Sequence, residues 1–223
     1  RMLTCAILCS DARVRNAGDA DQLEMIGDPT EGAIVAAGLK AGIDQAKLAQ
    51  WAPRVAELPF ESERKRMTTI HRLPESYLAC TKGALDEVLR VCTRVYSGGV
   101  VAPLTDDMRD DFRRVNTEMA GRALRVLGVA QREFAEIPSR ISVDAVESDL
   151  VFLGLVGMQD PPRSEARGAV RECFNAGITP VMITGDHKDT ALAIARDVGI
   201  MTGGAVAVTG SELSRMPDEE LDG

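Results

Sequence analysis

Two carboxylates follow apolar runs in the last third of the chain: Asp160 in "GMQDPPRS" and Asp186 in "VMITGDHK". Pro161, Pro162 and Arg163 follow the first, and Thr184 and Gly185 precede the second. An aspartate just past a strand can simply cap the next helix through its side-chain oxygen. It can also face a ligand, because open α/β sheets bind ligands beyond the carboxyl ends of their strands. Two such carboxylates on one sheet edge, one with an arginine three positions on, favour a site for a charged group. Earlier in the chain, "PFESERKRM" sets Phe60 beside Glu61, Glu63, Arg64, Lys65 and Arg66. A lone Phe is usually core, and a basic run usually faces water. An aromatic plate beside cations, however, suits a purine carrying phosphates: the ring stacks and the cations meet the charge.

Three further residues stand out. "CTKGALDEVL" puts Lys82 where a strand gives way to a helix at Gly83. Glycine lets the backbone approach a ligand closely, and the lysine supplies a point charge. The same tripeptide also fits a surface lysine before an ordinary turn. Arg125 sits within an apolar strand in "ALRVLGVA", either on an open face or reaching an anion. Glu31 begins a helix in "DPTEGA", where a carboxylate complements the helix dipole or accepts from an adenine amino group.

The elements that must carry these residues change in character along the chain. A short helix is expected in "RMLTCAILCS", with Cys5 and Cys9 on one face. The spacing of Ala33, Ile34 and Ala37 predicts a helix starting at Pro29-Thr30 and ending near Gly42. "RVAELPF" reads as a strand stopped by Pro59, and "RKRMTTIHR" and "SYLACTKG" as a hairpin. Leu85, Val88, Leu89 and Cys92 repeat at helical spacing, "YSGGV" is a turn, and Thr105 caps a helix with an acidic first turn. "ALRVLGVAQREF" returns as a strand. "AEIPSRISVDAVESD" suits neither period and reads as a linker. Beyond it, "LVFLGLVGM" is a continuous apolar strand buried on both faces. Helical patterns with "ITPVMIT" and "AVAVTG" between and after them then predict β-α-β-α-β, a parallel sheet.

Composition narrows the classes. The chain has 223 residues, 45% hydrophobic and 27% charged, with a net charge of −8. That balance is globular, and the acidity argues against a nucleic-acid partner. Five cysteines without a C-x-x-C pair, and two histidines, argue for reduced, mostly core thiols in a cytosolic setting and against a zinc site. No apolar run is long enough to span a bilayer, so no membrane contact by this stretch itself is expected. Both ends read as interrupted elements, as expected of a piece of a longer chain.

"GDPTEGA", "PFESERKRM", "TKGA", "LRVLGVA", "DPPR" and "MITGD" occur here in one order. With that set the chain resembles the cytosolic catalytic region of P-type cation-transporting ATPases, most nearly the calcium-pump branch. The resemblance implies an α/β protein: an α+β nucleotide-binding domain with an antiparallel sheet over residues 1–134 and a linker over 135–149. Part of a Rossmann-like, haloacid-dehalogenase-type phosphorylation domain follows over 150–223. It implies ATP as ligand. Phe60 is similar to the adenine-stacking aromatic and Glu31 to the carboxylate near the adenine amino group. Lys65 is similar to the lysine that follows the stacking Phe, and Lys82 with Gly83 to the pocket lysine of the K-G-A motif. Arg125 is similar to an arginine that contacts the phosphates. Asp160 and Arg163, with Thr184, Gly185 and Asp186, resemble motifs lining a phosphorylation site, where Thr184 and Asp186 would face a phosphoryl group.

The sequence also departs from that pattern. The phosphorylated aspartate of the family lies in D-K-T-G-T, and its magnesium-holding carboxylates in G-D-G-x-N-D; neither motif occurs here. The resemblance therefore implies a piece of a pump that is inactive alone. Its Mg²⁺ would be held mostly elsewhere, and its partners would be the transmembrane and actuator domains at the cytoplasmic side of a membrane. Two alternatives are a free-standing phosphohydrolase with Asp160 as nucleophile and a non-catalytic nucleotide-binding module. Against the first, Pro161 and Pro162 remove two backbone N–H groups that would cradle a phosphate.

Overall fold

The computed structural model describes residues 1–16, 23–122, 124–159, 163, 165–184, 188–201 and 205–217. By Cα proximity the chain divides into two compact units, Arg1–Asn116 with Val126–Met158, and Thr117–Arg125 with Gln159–Gly223.

The first unit opens with helix α1 (Met2–Leu8), in which Cys5, Ala6, Ile7 and Leu8 are all buried. Strands β1 (Arg13–Asn16) and β2 (Leu23–Ile26) pair antiparallel as a separate two-stranded sheet, which the sequence pattern does not announce. Helix α2 (Pro29–Lys40) begins as predicted. The Asp28 side chain accepts from the Thr30 and Glu31 N–H groups, and Pro29 takes a first-turn position where a missing N–H costs nothing. Gly42, at φ +78°, turns the chain out of it. Helix α3 (Gln45–Trp51) is capped by Asp44 in the same way.

Strands β3 (Arg54–Glu61), β4 (Arg66–Arg72) and β5 (Tyr77–Gly83) form an antiparallel meander. The expected hairpin is present, with Arg66 opposite Gly83 and Arg72 opposite Tyr77. β3 does not stop at Pro59 but runs on to Glu61, with its register to β4 irregular between Leu58 and Glu61. It is the edge strand, where a proline without an N–H is tolerated. Helix α4 (Leu85–Arg90) leads into the hairpin of β6 (Cys92–Ser97) and β7 (Val100–Pro103), turned by Gly98 and Gly99. Helix α5 (Asp106–Ala120) follows, its Met108 N–H donating to the Thr105 hydroxyl at 3.3 Å as the capping reading requires. Strand β8 (Arg125–Phe134), helix α6 (Val143–Val146) and strand β9 (Leu150–Met158) complete the unit.

The large sheet has the order β3-β4-β5-β8-β9-β6-β7. Against one face pack α1 and α2, with Ile34, Val35, Met67, Leu78, Cys80, Val129 and Val156 in the core. On the other face, Val88 and Leu89 of α4 meet Leu150 and Phe152, whose ring lies 4.7 Å from that of Phe112 in α5. A smaller cluster joins Ile70 and Ala79 to Val146 of α6. The protein is thus mixed α/β, with a small antiparallel sheet beside a larger mixed one.

Two expectations change here. β9, expected to open a second domain at residue 150, lies inside the seven-stranded sheet, parallel to β6 and next to β8. Residues 135–149 are not a free linker: Val146 and Glu147 are buried against the sheet. Periodicity misses this because the segment is too short for one apolar repeat and makes its contacts singly.

In the second unit, α7 (Ala166–Asn175) and α8 (Lys188–Val198) form where helical spacing places them, and Gly177, at φ +74°, ends the first. A short α9 (Gly210–Leu213) starts with a capping box between Thr209 and Glu212. The predicted strands do not form: Ile178–Thr184 and residues 205–208 carry no ladder, and Ile183 is 93% exposed. A strand is stable only beside another, and β9 is already paired on both sides in the first unit. The predicted parallel β-α-β-α-β sheet is therefore not formed among the described residues.

Candidate functional site

Lys82 is the penultimate residue of β5, on the same face as Leu78 and Cys80. That face is covered by α1 and α2, so its side chain enters the interior rather than solvent. Its ammonium donates to Glu31 Oε1 at 2.5 Å and to Ser10 Oγ at 3.0 Å. Glu31, in the first turn of α2, is buried as well. Its Oε2 accepts from the N–H groups of Asp11 and Ala12, at 2.7 and 3.0 Å. The structure thus brings together two residues that the sequence singles out separately. It also shows that the Glu31 carboxylate holds the chain leaving α1, a role with no sequence signal. The carboxylate has room for about four hydrogen bonds, and these contacts use three of them.

Phe60 stands at the end of edge strand β3 with 59% of its surface exposed. An exposed aromatic ring on ordered backbone is a ready stacking platform. Lys65, also exposed, lies in the turn to β4 with φ +48°, a region that non-glycine residues enter rarely. Its carbonyl accepts from the Ala84 N–H at 2.9 Å. This contact explains Gly83: a Cβ there would sit 2.4 Å from the Lys65 carbonyl oxygen. The glycine admits the neighbouring turn rather than leaving a gap for a ligand. Lys65, Gly83 and Lys82 are therefore locked to one another through backbone.

The sequence reading passes over the residue that anchors this turn from below. Glu147, between α6 and β9, has a fully buried side chain that pairs with Arg64 and, at 2.6 Å, with Arg66. Only the charges of Arg64 and Arg66 hinted at a buried anion, and a basic run reads first as a solvated face.

Arg125 opens β8 and is exposed, and Arg163 and Thr184, in the second unit, are exposed too. Asp160, Gly185 and Asp186 lie outside the described residues.

The thiols of Cys9, Cys80 and Cys92 and the imidazole of His71 are buried in the core of the first unit. Burial pushes the thiols of Cys9 and Cys92 up to about 12, and that of Cys80 well above its ordinary value. None is a thiolate near neutral pH. His71 is buried, with Nδ1 2.9 Å from the Ala52 carbonyl oxygen and Nε2 2.8 Å from Thr69 Oγ1. Desolvation lowers its pKa, aided by nearby Arg54.

Comparison with known proteins agrees in direction. Residues 1–165 match the family model described as P-type ATPase, cytoplasmic domain N. The chain is 40% identical over 220 residues to Calcium-transporting ATPase 1 of Bacillus cereus, covering 99% of this chain and 24% of that protein. It is 37% identical over 222 residues to Calcium-transporting ATPase lmo0841 of Listeria monocytogenes, covering 100% of this chain and 24% of the relative. With Cation-transporting ATPase pma1 of Synechocystis it shares 38% identity over 221 residues, 98% of this chain and 24% of the relative. The chain spans about a quarter of the length of these relatives.

Proposed function

The chain belongs to the P-type ATPase cytoplasmic domain N family, and from that premise we propose that it is the ATP-binding part of a cation pump of the calcium-transporting kind. In the intact pump it presents ATP so that the γ-phosphate passes to an aspartate in a D-K-T-G-T motif that this chain does not contain. That transfer drives ion movement through transmembrane helices, with the actuator domain as a further partner, from the cytoplasmic side of the membrane. Among the described residues no helix is long and apolar enough to cross a membrane.

The observation that carries the reading is the exposed Phe60 ring on ordered strand in the sheet that also bears Lys82. Phe60 stacks the adenine, and Glu31 lies towards its amino group. Lys82 and Lys65 supply positive charge, Gly83 fixes their spacing, and Arg125 meets the phosphates. Arg163 and Thr184, with Asp160, Gly185 and Asp186, line the phosphoryl-transfer site once the remaining motifs are in place. Mg²⁺ enters with the phosphates of ATP. Its protein ligands would come mostly from the G-D-G-x-N-D motif, which this chain does not contain. The phosphohydrolase and free-standing sensor readings are not favoured, since the relatives are named as transporting ATPases.

Calorimetric titration of ATP tests the assignment. Phe60→Ala is expected to cost about 1–3 kcal/mol of binding, the range for loss of an aromatic–base stack. Asp160→Asn and Asp186→Asn are expected to leave affinity unchanged, because the nucleophile and metal-holding motifs of their site are absent. Loss of binding in the two aspartate variants with full binding in Phe60→Ala would move the nucleotide out of the first unit and overturn the reading.

A further inference from the structure

The end of β3 and the turn to β4 carry two proposed nucleotide contacts, Phe60 and Lys65, and backbone closes that turn: Glu61 pairs with Arg66, and the Lys65 N–H donates to the Glu61 carbonyl at 2.7 Å. The β3–β4 register is irregular between Leu58 and Glu61, and Lys65 sits at φ +48°. Side chains add a second set of ties to this irregular stretch. Arg64 is buried and donates from Nη2 to the Pro59 carbonyl at 2.6 Å, the peptide group joining Pro59 to Phe60. Its Nη1 donates to Glu147 Oε1, 83 residues along the chain. On the far side of Lys65, Arg66 Nε donates to Glu147 Oε2 at 2.6 Å. The Thr68 hydroxyl donates to Oε1 at 2.7 Å.

One buried carboxylate thus joins the two guanidiniums that bracket Lys65. Each guanidinium also has a more exposed partner, Glu61 at 3.2 Å from Arg64 and Glu87 at 3.5 Å from Arg66, but Glu147 is the fully buried carboxylate they share, and without it the repulsion between them in a low-dielectric interior would be offset only from the rim. The arms of the clamp end, through Arg64, on the Pro59 carbonyl that precedes Phe60 and, through Arg66, on the Glu87 carbonyl of α4 at 3.3 Å.

We propose that Glu147 is a positioning residue for nucleotide binding, which fixes through Arg64 and Arg66 the turn that presents Phe60 and Lys65. The proposal rests on the ATP reading above. It makes a residue on the sheet face opposite Lys82 a determinant of affinity, although it touches no nucleotide atom.

The test is calorimetric titration of the full chain with adenosine and with ATP, each variant first shown to be folded by circular dichroism. Glu147→Gln keeps shape and removes charge. It is expected to raise Kd for adenosine and ATP alike, on the order of tenfold, because it acts through the stacking ring. In a Phe60→Ala background the same substitution is expected to add nothing to the loss for adenosine, and for ATP no more than the share carried by Lys65. Arg64→Gln, which leaves Arg66 and Thr68 on Glu147, is expected to raise Kd in the same way. Should Glu147→Gln not fold, it decides the matter in its place. Unchanged affinity in the folded variants, or a full further loss for adenosine in the Phe60→Ala background, overturns the proposal and leaves Glu147 a support of the fold alone. Unchanged affinity in Phe60→Ala by itself marks failure of the ATP reading, and the positioning role falls with it.

Discussion

Lys82 meets any nucleotide already bound to a carboxylate. The pair with Glu31 is buried, so its long-range pull on phosphate is small, while Ser10 and Glu31 occupy two of its three N–H donors. The third is free to turn towards a ligand oxygen. Removing one partner of a buried ion pair typically costs about 3–5 kcal/mol, because the other charge is left uncompensated. Lys82→Ala is therefore expected to lower unfolding stability by that order in urea titration, besides weakening ATP. Lys82→Met combined with Glu31→Gln is expected to regain much of the loss, and a double variant no better than the single would refute a charge-based origin. A second residue-scale prediction concerns acid. His71 has a depressed folded pKa, so between that value and the ordinary one the unfolded chain binds more protons. Its contribution is fully present above about pH 6.5 and is lost as pH falls through the folded pKa. The urea midpoint of the wild type is expected to fall below that pH, and His71→Gln to lack that component; parallel pH profiles would contradict it. The exposure of Phe60 was legible because a mostly charged run, Glu61 to Arg66, follows it. The Lys82–Glu31 pair was not, because burial of a lysine depends on a partner 51 residues away.

Elements read well wherever their signals were local. The start of α2 at Pro29, the cap at Thr105, the Gly98-Gly99 turn and the β4–β5 hairpin all follow from residue types within a few positions. Reading failed where an element depends on a distant neighbour. "ITPVMIT" has the composition of a buried strand, but Val181 and Ile183 are 78% and 93% exposed, with no ladder to join. β9 has the same composition and does form, because β8 and β6 flank it. The first unit is therefore expected to protect its backbone much better than the second. In hydrogen exchange, amides of β4, β5, β8 and β9 should persist while those of residues 178–183 and 205–208 exchange early. Equal protection of the two sets would show that the apolar segments find partners in solution.

For the whole molecule, the decisive fact is that β9 lies between β8 and β6. A chain ending at residue 149 would leave β3-β4-β5-β8 and the β6–β7 hairpin as separate sheets. It would also lose the burial of Leu150, Val151, Phe152 and Val156. At about 1.5–3 kcal/mol per side chain, that is roughly 6–12 kcal/mol, comparable to the whole stability of a domain. Truncation after residue 149 is expected to abolish cooperative urea unfolding, and truncation after residue 158 to retain it. A cooperative transition in the shorter chain would show that β9 is dispensable.

The place of β9 also sets a schedule for the growing chain. The β6–β7 hairpin is complete by Pro103, but the strand that ties it to the rest of the sheet ends at Met158. During translation at about 5–20 residues per second, the hairpin waits roughly 3–11 s with its β6 edge unpaired. Through that interval the nascent polypeptide presents an open strand edge next to Cys92 and Val95, residues that are buried once β9 arrives. The ribosome, and whatever shields the emerging segment, must keep that edge apart from its neighbours until β9 leaves the exit tunnel.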